Sequence, residues 1–152
     1  MLEPNDEIDY LLGNLWSTRR GSIPRSIILL GNDSTATGSA TFQPNADGTA
    51  VSYVLNVADL ENVTMAHIHV STEPGGNGGV VVWLYPAAPP ASLIPGSFTG
   101  VLGEGVITAD SLAGSLAGQS LDALMMAIQE NRAYVNVHTQ QFGGGEIRGW
   151  IE

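Results

Sequence analysis

Gly38-Ser39-Ala40-Thr41-Phe42-Gln43-Pro44-Asn45-Ala46-Asp47-Gly48-Thr49-Ala50-Val51-Ser52-Tyr53-Val54-Leu55-Asn56-Val57 reads as two strands joined by a turn. Side chains alternate sides along a strand, so Gly38, Ala40 and Phe42 share one face of the first segment. Val51, Tyr53, Leu55 and Val57 share one face of the second. Pro44 to Gly48 separates them, and its Asp-Gly pair supplies the positive φ angles that a tight antiparallel hairpin needs. The hairpin sets the period for the rest of the chain.

Working outward, the same pattern recurs over short distances. Ile27 to Leu30 is an aliphatic run, Ala58 to Asn62 reads as a polar turn, and Val63 to Val70 is the next strand. Pro74 to Gly79 reads as a glycine-rich turn leading into Val80-Val81-Val82-Trp83-Leu84. Pro86, Pro89, Pro90 and Pro95 mark an exposed loop, because proline cannot donate to a ladder. Pairing resumes near Gly105 to Thr108, where Asp110 or Ser111 is placed to cap a short helical turn. Ser120 caps a helix whose Leu121, Leu124, Met125 and Ile128 lie on one face. Ala133 to Thr139 and Glu146 to Ile151 close the chain as strands around Gly143-Gly144-Gly145. The expectation is an all-β fold, an antiparallel β-sandwich or Greek-key-like barrel with one short surface helix, over residues 25–152.

Residues 1–24 read differently, as an N-terminal arm. Ile8, Leu11, Leu12 and Leu15 follow the spacing of a short amphipathic helix, and Tyr10 and Trp16 add aromatic surface. Such an arm would pack on its own body or on the next subunit.

Composition excludes several classes. The chain has 152 residues, 43% hydrophobic and 13% charged, which suits one domain with a sizeable core. Its net charge is −10, with 15 acidic residues against 5 basic ones. The basic residues are all arginine, too few to neutralise a phosphate backbone, so nucleic acid is not the expected partner. The absence of cysteine removes disulfides, thiolate nucleophiles and cysteine-ligated clusters. The longest aliphatic runs are strand-sized, so no transmembrane helix is expected. The acidic start lacks the positive region of a secretory signal. There is no Gly-x-Ser-x-Gly elbow, no Asp-x-Asp-x-Asp calcium loop and no phosphate loop with its Lys-Ser/Thr ending.

The three histidines carry the most chemistry. His67 and His69 stand two apart in Ala66-His67-Ile68-His69, so they project to one side, roughly 6.5 to 7 Å apart along the backbone. His138 follows Tyr134 and Asn136 on the face opposite Val135 and Val137. All three are therefore expected on the side away from the core. Three imidazoles suit copper or zinc rather than magnesium or calcium, and Met65, on the face of His67, would favour Cu(I) if it reached the ion. Tyr134, Asn136, Glu146 and Arg148 are candidates to orient the rings. Polar residues that simply bond their neighbours are the competing reading, and Glu146 and Arg148 also fit a cross-strand polar pair. The tripeptides starting at Asn32 and Asn62 match the glycosylation pattern, which arises often by chance.

Five segments, Asn62 to Val70, Gly75 to Leu84, Leu116 to Leu121, Ala133 to Thr139 and Gly144 to Ile151, together closely resemble the CHRD domain, named after chordin and found also in microbial proteins. The likeness extends over about residues 27–152, with residues 1–24 looking like an addition. It implies a β-sandwich of exported, extracellular or cell-surface proteins without a well-established enzymatic activity. A looser likeness is to copper-zinc superoxide dismutases, in which His67, His69 and His138 would match three copper ligands. The bridging histidine and the further zinc ligands have no counterpart.

Two functional readings follow. One is a non-catalytic exported module acting in binding or extracellular assembly, self-associating through its arm as a filament or surface-layer subunit. The other is a copper-dependent redox protein, either superoxide dismutase-like or a carrier that stores and delivers the ion.

Overall fold

A computed structural model describes residues 23–29 and 33–152, the first of these segments as backbone alone. Seven strands form the body: β1 (Ile23–Leu29), β2 (Thr37–Pro44), β3 (Val51–Ser71), β4 (Gly78–Tyr85), β5 (Ile94–Ile107), β6 (Ala133–Thr139) and β7 (Ile147–Trp150). One α-helix, α1 (Leu121–Gln129), and two short 3-10 turns lie between β5 and β6. Every pairing is antiparallel. The all-β fold with one helix is thus present. No helix among the described residues is long and apolar enough to cross a membrane.

The strand β3 organises the molecule. Its first half pairs with β2 and β5, and its second half with β6 and β4. β1 joins β2 to β7, and β7 joins β6, so the path β3, β2, β1, β7, β6 returns to β3. At the middle of β3 the ladder with β5 breaks register between Val57 and Leu60 and again between Glu61 and Val63. Asp59 and Asn62 there adopt φ of +58° and +52°. Asx side chains tolerate this region better than most, and the result is a corner at which one strand passes from one layer to the other. The side chain of Asn62 also accepts the Gly96 N–H at 2.8 Å. Across the corner the Tyr53 hydroxyl donates to the Leu84 carbonyl at 2.9 Å, so the two layers face each other.

Between the layers, Ala40, Leu55, Leu60, Ile68, Leu84, Ile107, Val135, Val137 and Ile147 are buried, with α1 adding Leu121, Leu124 and Ala127. The alternation read from the sequence accounts for this core.

Four local expectations are corrected. The polar segment Ala58 to Asn62 is a sheet corner inside β3 rather than a chain-reversing turn. The hairpin loop runs from Asn45 to Ala50, closed by Asn45 N–H to the Ala50 carbonyl at 2.9 Å, and only Gly48 within it takes a positive φ, +73°. The proline-rich loop ends earlier than expected, since β5 begins at Ile94; Pro95 is accommodated where the ladder is already out of register. The turn after β5 is capped by Thr108, whose side chain and that of Ser111 bond each other's backbone N–H groups. The arm residues Ile8, Tyr10, Leu11, Leu12, Leu15 and Trp16 lie outside the described residues. Ile23 and Pro24, assigned to the arm, belong to β1, which pairs Ile23 with Phe42 and Pro24 with Thr41.

Candidate metal centre

The second half of β3 lies between β4 and β6, and the register brings the histidines together. His67 stands opposite Asn136 and Trp83, His69 opposite Tyr134, and Met65 opposite His138. In antiparallel pairs, directly opposed side chains share a face, so His67, His69 and His138 project to one side. One nitrogen from each ring lies within 4.8 Å of the other two. The three rings are buried, at 2%, 8% and 6% exposure for His67, His69 and His138. The face away from the apolar core is therefore also covered. The solvent-facing position expected from alternation is incorrect, because alternation assigns a side and says nothing of what packs there.

The cover comes from segments far apart in the chain. Trp83 meets His67 edge to face at 4.3 Å, and Tyr134 stacks on His69 at 5.0 Å with planes 8° apart. His69 Nδ1 lies 2.9 Å from the Gly78 carbonyl, and His138 Nδ1 2.9 Å from the Gly143 carbonyl. A carbonyl only accepts, so both Nδ1 atoms carry their protons and both Nε2 atoms present lone pairs. His67 Nδ1 sits 3.3 Å from His138 Nε2. Nδ1 of His67 and Nε2 of His69 and His138 are thus the converging donors.

Two glycine segments make these anchors. A Cβ on Gly78 would lie 1.9 Å from the Val70 carbonyl oxygen, so only glycine lets β4 approach β3 there. The Gly78 N–H donates to the Tyr134 hydroxyl at 3.0 Å, fixing the carbonyl that holds His69. Gly145, at φ +120°, presses on Asn136, whose Oδ1 a Cβ would approach to 2.1 Å. Asn136 Nδ2 in turn donates to the Gly144 carbonyl at 3.1 Å and fastens the turn that holds His138.

Burial disfavours the charged imidazolium and is the largest influence on each ring. His67 is lowered to about 3, with His138 and His69 adding repulsion. His69 and His138 are also lowered by burial, against the opposing effect of their carbonyl partners, and Arg148 adds to both. Neutral rings are the form that binds metal.

The candidate neighbours divide. Tyr134 and Asn136 support the rings as described. Arg148 lies with its guanidinium 4.1 Å above the Tyr134 ring and donates Nη1 to Asn77 Oδ1 at 2.8 Å. Glu146 is buried but faces elsewhere, accepting from Thr139 Oγ1 at 2.7 Å and from the Ser34 hydroxyl, so it makes no pair with Arg148. Met65 is half-buried across from His138. Asn62 is committed to Gly96 and the β3 corner. The sequence reading missed Trp83, Gly78 and Gly143 as parts of the site; the signal available was the placing of glycine runs immediately before β4 and β7.

These features define an all-β domain with a buried three-imidazole cluster. The family model for the CHRD domain matches residues 28–151, and the chain belongs to that family. No curated protein and no solved structure matches the chain.

Proposed function

We propose that this CHRD domain is an exported binding module whose ligand is a copper ion, held by His67, His69 and His138. The observation that carries the reading is the convergence of three ring nitrogens within 4.8 Å, two of them fixed in tautomer by the Gly78 and Gly143 carbonyls. The fit is supported by His67 Nε2 and His69 Nε2, which are buried and have no hydrogen-bond partner. A free lone pair on His69 Nε2 is costly in a dry site unless something coordinates it. Three neutral nitrogens without a carboxylate favour copper or zinc over the hard cations, and the Irving–Williams order places copper above zinc. Secretion is an inference from the kind of protein that carries this domain.

The test is metal analysis and a copper(II) titration followed by electron paramagnetic resonance, with zinc as competitor. One copper per chain with coupling to several nitrogens is expected, and His67→Ala and His138→Ala are each expected to weaken retention by roughly tenfold or more. Zinc displacing copper at equal concentration would overturn the choice of ion. Equal, weak retention by parent and variants would overturn the site.

A further inference from the structure

Charge balance at the imidazole cluster leads one step further, resting on the copper reading. The charges that act on the three rings are their own and that of Arg148. Arg148 sits in the same cross-strand row: His67 opposes Asn136, and Asn136 opposes Arg148. It is tied to the cluster by the Tyr134 ring, which it shares with His69, and by Asn77, the neighbour of the Gly78 that anchors His69. The nearest acidic residue in the chain, Glu146, is turned to Thr139 and Ser34.

A divalent ion here would place its two charges beside the guanidinium with no carboxylate to offset them. Uncompensated charge in a buried site costs several kcal/mol per ion, so an arrangement of this kind favours a further negative partner. Arg148 has the means to hold one. Its Nε is buried and donates to nothing, while Nη1 is engaged with the neutral amide of Asn77. Buried N–H groups without an acceptor are uncommon, and a guanidinium N–H suits a small anion. Three protein ligands also leave a coordination position for it.

We propose that the centre takes up divalent copper together with a small anion, shared between the ion's open position and Arg148 Nε. The anion is a compact monoanion such as a halide or a linear triatomic species, because the surrounding rings leave the cluster almost without solvent exposure. Copper and anion then tighten each other's binding by the same factor.

The experiment uses the full chain and azide as the probe. Copper(II) is titrated in buffer free of coordinating anions, with and without azide, and azide binding to the copper-loaded chain is read from its charge-transfer absorption. In the parent, azide is expected to raise copper affinity by about tenfold. Arg148→Gln is expected to weaken azide binding by about tenfold while leaving copper affinity without azide unchanged or tighter, since a repelling charge is gone. Arg148→Lys should restore part of the azide effect. A merely structural arginine gives the opposite pattern, with both affinities falling in Arg148→Gln and the metal-free melting temperature falling with them. Copper bound through nitrogen but indifferent to azide, or equal azide affinity in parent and Arg148→Gln, would sink this inference and leave the copper reading standing. Failure to see nitrogen-coupled copper at all would remove both.

Discussion

Tyr134 shows how much of the centre depends on single atoms. Its ring is 1% exposed, stacked between neighbours, and its hydroxyl accepts from the Gly78 N–H. Tyr134→Phe keeps the ring and removes that acceptor. A stability loss of about 1 to 2 kcal/mol is expected in a denaturant titration, with weaker copper retention because the Gly78 carbonyl no longer fixes His69. Gly145→Ala forces a side chain onto Asn136 at a φ that side chains avoid, and about 2 kcal/mol or more should be lost. A Gly145→Ala chain as stable as the parent would refute that account of the turn. The histidines themselves were legible from strand alternation, which put all three on one side. Their burial was not, since it depends on Trp83, Gly78 and Gly143, residues brought to β3 and β6 by hairpins whose register the local pattern does not state.

At the scale of the element, β3 carries the most informative miss. Ala58 to Asn62 has the composition of a turn, and its backbone angles are those of a turn residue by residue, yet the chain continues in the sheet on both sides. Polar composition reports the need for left-handed φ; whether the strand then reverses or bends depends on the partners waiting beyond, here β4, β5 and β6. Asn62 separates the two demands at this corner. Asn62→Gly keeps the accessible φ and loses the bond to Gly96, while Asn62→Ala loses both. Asn62→Ala is expected to be the less stable of the two by roughly 1 kcal/mol, measured by thermal or urea unfolding. Equal stability would mean that the backbone angle at the corner carries no strain. The start of β5 was illegible for a related reason, because Pro95 forbids a ladder bond in a regular strand and is harmless at a register break.

For the whole molecule, the depressed imidazoles fix how the metal-free chain responds to acid. Unfolded, each histidine has the ordinary value of 6.5, and folded, each lies lower, His67 at about 3. Below 6.5 the unfolded chain therefore binds more protons than the folded one, and stability falls as pH drops from 6.5 toward about 3. Above 6.5 the histidine contribution is constant. Unfolding of chelated protein across this range should show the slope, and His67→Gln should flatten part of it; a flat profile in the parent would contradict the burial of the rings. The all-β class and its core were readable at this scale because period-two runs fill the chain, whereas the path by which β1 and β7 close the ring depends on long-range pairing.

One property of the 21-residue β3 reaches beyond any of its contacts. Because the same continuous backbone is a member of both layers, neither layer has a boundary along which it can peel away while the other persists. Loosening the distal layer drags on the peptide that bears His67 and His69, and gripping those two rings stiffens the layer built on β2 and β5. Calorimetry should accordingly record one melting event, with or without metal, displaced upward as a unit when copper is bound.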